Sequence, residues 1–226
     1  MKYINENGRS MVEMLGVLAI IGVLSVGGIA GYSKAMNKYK INKTTDQVSM
    51  LVANIRTIFS SQGNYAGLTN SKAKLFGVVP NDMYEKNSDS DMHNAFNGKV
   101  TITTSASRTS GKDDEAFIIE YAGLSSEACV TLATGDWGSG QASGLIAIAA
   151  GQDTMDTAGT IGTLGTAIDA AVIDADGGTE TVSAGSVLAQ PGSTNRPTPI
   201  TVSDAVTACS GATNGGSGYG IAWKYY

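Results

Sequence analysis

The stretch GRSMVEMLGVLAIIGVLSVGGIAG, residues 8–31, places one carboxylate, Glu13, inside a run that is otherwise typical of a membrane span. From Met11 to Ala30 every residue except Glu13 and Ser25 is apolar or glycine. A helix of about 20 residues spans about 30 Å, which is the thickness of the hydrocarbon core of a bilayer. A carboxylate at that depth costs on the order of 2.5–3.5 kcal/mol on insertion scales. The stretch therefore predicts a membrane helix in which Glu13 needs a specific role.

The composition excludes several classes of function. The chain has 226 residues, a net charge of −5 and a pI near 4.8, which argues against a nucleic-acid binder because no excess of cations is available for phosphates. It has one histidine, His93, and two cysteines, Cys129 and Cys209, with no C-x-x-C pair, so neither a zinc site nor a Cys–His catalytic pair is expected. If the chain is exported, the two cysteines predict one disulfide that closes a long loop.

Two common kinds of membrane segment could explain the N-terminal stretch: a cleavable secretory signal and a plain membrane anchor. A cleavable secretory signal would end at a small-residue site at Ala30, but an acidic residue near the start of its apolar region is unusual, and the helical pattern continues past that site. A plain anchor would keep Glu13 near the membrane edge. By the bias of Lys and Arg, the anchor would place the following domain in the cytoplasm, because more cations follow the span than precede it (Lys34, Lys38, Lys40 and Lys43 against Lys2 and Arg9).

A third explanation accounts for more of the residues. GRSMVE followed by MLGVLAIIGVL resembles the N-terminus of type IV pilins and of the pseudopilins of type II secretion. The resemblance implies that residues 1–8 are a leader, that a prepilin peptidase cuts between Gly8 and Arg9, and that the new N-terminal residue, Arg9, is N-methylated. The family's first mature residue is normally apolar, and here it is arginine. Because this family is inserted with its leader in the cytoplasm, the resemblance also overrides the orientation that the charge bias favours.

The resemblance gives Glu13, the fifth residue after the cut, a role in subunit assembly. In the family, N-terminal helices pack in the core of a filament, and this carboxylate is thought to meet the N-terminal amine of a neighbouring subunit. A desolvated charge is tolerable when it is paired, so the contact would also set the register between subunits. The implied partners are other copies of the chain, the prepilin peptidase and the inner-membrane pilus assembly machinery. The implied locations are the inner membrane, with a periplasmic head, and then an extracellular pilus.

Five glycines interrupt the apolar run and leave two possibilities open: Gly16, Gly22, Gly27, Gly28 and Gly31. Small residues four apart can form a close-packing face between membrane helices. Alternatively they allow part of the helix to melt in a filament, since glycine costs about 1 kcal/mol relative to alanine in a helix.

The helical pattern continues beyond the membrane segment, over residues 32–63. Apolar residues recur at spacings of three and four, which predicts one buried face, and Gly63 is expected to end the helix. The predicted face consists of Val48, Leu51, Val52, Ile55, Ile58 and Phe59. Residues 9–31 and 32–63 thus form one helix of two halves, the first in lipid or a filament core and the second amphipathic.

Residues 64–226 are expected to form the globular head. After a turn-rich segment we expect strands at Lys99–Thr104 and Glu115–Gly123, then a helix that carries Cys129 and is capped by Ser125 or Ser126. Further helices and strands are expected downstream: a helix capped by Ser203 that ends near Cys209, possible strands at 143–150 and 169–175, and a terminal strand at Tyr219–Tyr226. This order resembles the C-terminal half of class B type IV pilins. The fold class implied is α+β, with a long N-terminal helix, half transmembrane, packed on a small antiparallel sheet, and with Cys129–Cys209 bounding a variable region.

Other sites are weaker, and no metal, cofactor or catalytic residue is expected. Asp174–Glu180 resembles part of a calcium loop without its full spacing, and an Asp-Gly turn explains it better. His93 is expected to be a solvated loop residue. The function predicted is a structural pilin. A pseudopilin or minor pilin is the alternative within the family, and an exported or membrane-anchored binding or adhesion domain is the alternative from another class.

Overall fold

The computed structural model describes residues 11–85, 88, 90–105, 113–138, 143–153, 155, 158–171, 186–191, 193, 197–210 and 218–226. The chain divides into two units at residue 39, the first comprising Met1–Tyr39 and the second, the head, comprising Lys40–Tyr226. Helix α1, Met11–Phe59, is continuous through this boundary. The two units are described separately below.

Helix α1 ends four residues before the predicted stop. Its last residue is Phe59, and a turn follows in which Gln62 N–H donates to the Phe59 carbonyl and Ser60 Oγ donates to the Thr57 carbonyl. Serine competes for backbone partners in this way and favours helix ends over helix interiors. Gly63 lies in this turn with φ of +71°, a conformation that glycine adopts readily. It is therefore a residue of the turn and does not directly follow the helix.

The part of α1 within the head buries one face, largely as the spacing predicts. Of the predicted face, Val48, Leu51, Ile55 and Phe59 are buried and Val52 is half-buried. Ile58 is exposed, so its prediction was wrong. The buried positions at this end of the helix, Ile55 and Phe59, are four residues apart. Ile58 directly precedes Phe59, so it lies on a different side of the helix. Ile41, Thr44 and Gln47 complete the buried face.

Five antiparallel strands form a single sheet among the described residues, in the order β1-β2-β5-β3-β4. The strands are β1 Val100–Ser105, β2 Ala116–Leu124, β3 Leu145–Gln152, β4 Ser186–Ala189 and β5 Tyr219–Tyr225. The strands predicted near 99–104, 115–123, 143–150 and 219–226 are confirmed to within two residues, whereas β4 was not predicted. The last strand of the chain lies at the centre of the sheet, between β2 and β3.

Among the described residues, four short α-helices and one 3-10 helix, Asn81–Met83, accompany the sheet. The α-helices are α2 Asn70–Leu75, α3 Ser126–Ala133, α4 Thr163–Asp169 and α5 Val202–Ala208. Ser125 caps α3 as predicted, by accepting from the Ala128 N–H at 3.3 Å. The predicted cap of α5 was wrong, because Thr201 and not Ser203 accepts from the Asp204 N–H, at 3.2 Å. The strand suggested at 169–175 was also wrong at its start, because Asp169 is the last residue of α4. Residues 172–175 lie outside the described part.

The sheet separates two apolar cores. The larger one gathers side chains of α1, α3 and α5 around alternate residues of the central strands, with Phe117, Tyr121 and Trp223 at its middle. The smaller one places Leu164 and Ile168 of α4 against the other residues of the same strands. Because both faces are covered, all seven residues of β5 are buried.

Candidate functional site

The first half of α1 exposes all of its apolar side chains within this unit. Every residue from 11 to 35 is exposed, and we call this segment the exposed half of α1. Ile20 is 63% exposed and Leu24 is 69% exposed. The segment is long and apolar enough to cross a membrane, and α1 is the one helix among the described residues that meets this standard. Exposed apolar surface on this scale marks an interaction with lipid or with protein.

Glu13 lies in the first turn of α1 and is exposed. Among the described residues, Glu13 has no hydrogen-bond or ion-pair partner. The described residues next to it in the sequence have apolar side chains, which cannot pair with a carboxylate. The predicted cleavage site, Gly8 and Arg9, lies outside the described residues. The structure therefore places Glu13 on the apolar helix, and its pairing with the amine of Arg9 in a neighbouring subunit stays a prediction.

The five glycines of the exposed half pack against none of the residues that the structure describes. A Cβ atom added at any of them, from Gly16 to Gly31, would meet nothing within 4 Å among the described atoms. Glycine lowers helix stability, so its repeated use here is unexplained by intramolecular contacts. A close approach to another helix would require it.

In the head, the predicted disulfide is formed. Cys129 Sγ and Cys209 Sγ are 2.00 Å apart, with a Cα–Cα distance of 5.9 Å. The bond joins α3 to the residue that follows α5, and Ser126 Oγ donates to the Cys209 carbonyl at 2.6 Å beside it. Both cysteines are fully buried. The disulfide thus bounds the region between residues 129 and 209.

A buried carboxyl group that the sequence did not single out fixes the start of α4. Glu120, on β2, is fully buried, and its two oxygens accept hydrogen bonds from the Gly162 and Gly165 N–H groups, each at 2.7 Å. These amides belong to the first turn of α4, whose donors have no partner inside the helix. A Cβ at Gly165 would lie 2.5 Å from Glu120 Oε2, so glycine permits this approach.

The environment of Glu120 favours its protonated form. Burial and, to a lesser extent, the nearby Asp153 carboxylate together raise its pKa to about 8, against the opposing effect of the two amide hydrogen bonds. The Asp153 side chain is itself buried and accepts from the Met155 N–H at 3.2 Å.

A buried lysine fixes the other end of α4. Lys224 Nζ, on β5, donates to the Asp169 and Ala171 carbonyls at 2.7 Å each. A cation suits the C-terminus of a helix, where carbonyls lack partners. Burial lowers the pKa of Lys224 to about 8, and the Asp169 carboxylate opposes this change. The charged residues inside the apolar runs AFIIEYAGL and IAWKYY were the signal that could have located both ends.

The remaining predicted sites are not brought together. The His93 side chain is 21% exposed, so it is less solvated than predicted, and its Nδ1 lies 3.4 Å from Glu85 Oε2. Across the described residues, no group of three or more His, Cys, Asp or Glu could hold a metal ion. Asp174–Glu180 lies outside those residues.

Comparison with known proteins assigns the class. The family described as PilS N terminal matches residues 38–187, about two thirds of the chain. A toxin coregulated pilin of Vibrio cholerae serotype O1 is 27% identical over 135 residues, and a second from Vibrio cholerae is 28% identical over 136 residues. Each match covers 59% of this chain and 59% of the relative, so the chain spans less than two thirds of these relatives' length.

A solved structure supports the fold. The crystal structure of TcpA, a type IV pilin from the El Tor biotype of Vibrio cholerae, matches with a TM-score of 0.52 and 16% identity, and the match covers 83% of this chain and 99% of the crystallised one. The long helix and the antiparallel sheet are therefore those of a type IV pilin. The chain belongs to the PilS N-terminal family, among the type IV pilins. The family match begins at residue 38, so it does not include the predicted cleavage site.

Proposed function

We propose that this chain is the precursor of a structural subunit of a bacterial type IV pilus. A prepilin peptidase cuts it between Gly8 and Arg9, residues 9–31 hold it in the inner membrane, and the assembly machinery then polymerises it with its helices in the filament core. The observation that carries the proposal is the fully exposed apolar half of α1 on a chain with the type IV pilin fold. In this role the chain needs no catalytic residue, and its head is periplasmic before assembly and extracellular afterwards.

The exposed half of α1 supports polymerisation because lipid and neighbouring helices can replace one another around it. Its apolar side chains suit both surroundings, and its glycines allow close helix contacts. Glu13 distinguishes the two surroundings. In lipid the carboxylate is costly, and beside the amine of Arg9 in a neighbouring subunit it is paired. Assembly thereby relieves a cost that the precursor carries.

N-terminal sequencing of the mature protein from its native host tests the cleavage. We expect the sequence to start at Arg9, with one methyl group on its amine by mass spectrometry. A start near Gly31 would identify an ordinary signal peptide, and an intact Met1 would identify a permanent anchor. Either of these results contradicts the proposal.

The variant Glu13→Ala tests the assembly role. Cleavage should persist, while the yield of sheared filaments should fall at least about tenfold because the pairing charge is lost. Glu127→Ala, which removes an exposed carboxylate of α3 in the head, is the matched control and should leave the yield unchanged. Normal piliation by Glu13→Ala would refute the pairing.

A further inference from the structure

Four lysines follow the apolar segment, and the structure separates them into two pairs. Lys40 and Lys43 lie in the head and have partners there. Lys40 Nζ is 5.6 Å from the centre of the Phe96 ring, and Lys43 Nζ is 2.9 Å from Asp82 Oδ2. The contacts of these two lysines explain their presence without a membrane.

Lys34 and Lys38 differ from that pair. Both are exposed and, among the described residues, neither has a hydrogen-bond or ion-pair partner. They are four residues apart, so they share one side of α1. No acidic residue occurs between Glu13 and Asp46, so their charge is not offset locally in the sequence.

The helical rise places these two lysines at the membrane surface. If the hydrocarbon core ends near Ala30, then Lys34 and Lys38 lie about 6 and 12 Å beyond it along the helix axis. Headgroup phosphates occupy the first part of this distance, and the field of an anionic surface extends for about 8–10 Å in physiological salt. Tyr32, which is 67% exposed, lies at the edge itself, where tyrosine is enriched in membrane helices.

We propose that Lys34 and Lys38 bind the headgroups of anionic phospholipids on the side of the membrane that faces the head. This inference rests on the proposed function for the membrane insertion of α1. It also explains a charge distribution that the bias of Lys and Arg does not explain, because two of the four cations belong to the head and two to the lipid surface. The contact holds the subunit at a fixed depth and must be broken when it leaves the membrane.

The full uncut chain, reconstituted in vesicles of phosphatidylcholine and phosphatidylglycerol, provides the test. Spin-labelled lipids report the preference for phosphatidylglycerol over phosphatidylcholine next to the protein. We expect about a threefold preference at low salt that weakens at high salt, because the attraction is electrostatic. The variant K34Q/K38Q should lose at least half of the excess. K34R/K38R, which keeps both charges, should behave as the wild type does.

The control K72Q removes an exposed lysine of α2 in the head and should leave the preference unchanged. The inference is overturned if K34Q/K38Q keeps the wild-type preference, or if K34R/K38R loses it. If K34Q/K38Q keeps the wild-type lipid preference but forms defective filaments, the two lysines make contacts between subunits instead. The assay needs neither cleavage nor polymerisation, so a failure of those steps does not affect it. If the chain does not float with vesicles at all, membrane insertion fails first, and this inference fails with it.

Discussion

The two halves of α1 differ in the exposure of the same residue types. In the exposed half Leu18 is 60% exposed and Ile20 is 63% exposed, whereas Leu51 and Ile55 within the head are fully buried. Helix propensity is the same for a given residue in both halves, so the difference comes from what surrounds the helix. The second half packs within its own unit. The first half leaves its apolar surface exposed, which is typical of a surface that contacts lipid or protein.

Charged groups show the same contrast. Glu120 is buried, and each of its oxygens accepts a hydrogen bond from an amide. The buried Lys224 donates to two carbonyls at the C-terminal end of α4. Glu13 has no partner among the described residues. These two buried groups of the head thus find their partners within one chain, whereas Glu13 finds none among the described residues. Substitutions in the head should change its stability, and substitutions in the exposed half should change insertion or assembly.

Removal of the disulfide should have the largest effect on the head. The two cysteines are 80 residues apart, and closing a loop of that length stabilises a fold by about 4–5 kcal/mol in the chain-entropy account. We expect C129S/C209S to lower the free energy of unfolding by about that amount. Denaturant unfolding of the full chain in detergent, followed by near-ultraviolet circular dichroism, measures it, because both tryptophans lie in the head. A loss below about 1 kcal/mol would contradict the prediction.

Leu51→Ala should destabilise the head by about 3 kcal/mol, because it leaves a cavity at a fully buried position of α1. Leu18→Ala is the matched change in the exposed half of the same helix, and it should leave the unfolding of the head unchanged. The same denaturant titration compares the two. Equal losses for both variants would mean that the two halves do not differ as described.

The pH dependence of stability should pass through a minimum near pH 8. The pKa of Glu120 is raised to about 8 in the folded head, so between about pH 4.5 and 8 the folded state holds a proton that the unfolded state has lost. Stability therefore falls as the pH rises through this range, by at most about 1.4 kcal/mol per pH unit for one proton. The pKa of Lys224 is lowered to about 8, so from there to about pH 10.5 the unfolded state holds the extra proton and stability rises.

Two variants separate the contributions to this curve. Glu120→Gln should flatten the fall below pH 8, and Lys224→Met should flatten the rise above it, whatever each costs in absolute stability. The pKa of Asp82 is lowered despite its partial burial, by its hydrogen bonds to Lys43 and Gln47 and by the charge of Lys43, so Asp82 acts at more acidic pH than this range. Unfolding measured at half-unit intervals of pH gives the slopes, and unchanged slopes in both variants would refute the assignment.

The smallest expected effect concerns the cap of α5. Thr201→Ala should cost about 1 kcal/mol, because it removes the oxygen that accepts from the Asp204 N–H. Ser203→Ala, two residues further along, removes a hydroxyl from an exposed position inside the helix and should cost much less. A larger loss for Ser203→Ala would restore the cap predicted from the sequence.

Local patterns predicted much of the architecture. The β-branched and aromatic residues of β1 and β2, a serine cap of α3 and the apolar spacing of Val48, Leu51 and Ile55 depend on neighbours within a few residues. A single sequence is therefore enough to predict them. The exposed half of α1 was equally legible, because length and apolarity define it. The order of strands, helices and cysteines came from the same local patterns, and that order carried the resemblance to the pilins.

The insert between the cysteines could not be predicted in the same way. Helix α4 has weak periodicity and contains a glycine, and it is positioned by Glu120 and Lys224, residues distant from it in the sequence. Such long-range polar contacts leave no local signal except a charge within an apolar strand. The cleavage of Gly8–Arg9 and the pairing of Glu13 depend on other molecules, so they stay predictions.

The position of β5 has a consequence for the order in which the head is made. Strands β1 and β2 pair with each other, as do β3 and β4, but β5 joins the two pairs. A chain whose strands become available in sequence order can form both pairs and still lack a complete sheet until residues 219–225 arrive. Contacts between such distant parts of a chain also form slowly. Completion of the sheet thus waits for the last strand, and a head that lacks it would expose the edges of β2 and β3 to other chains.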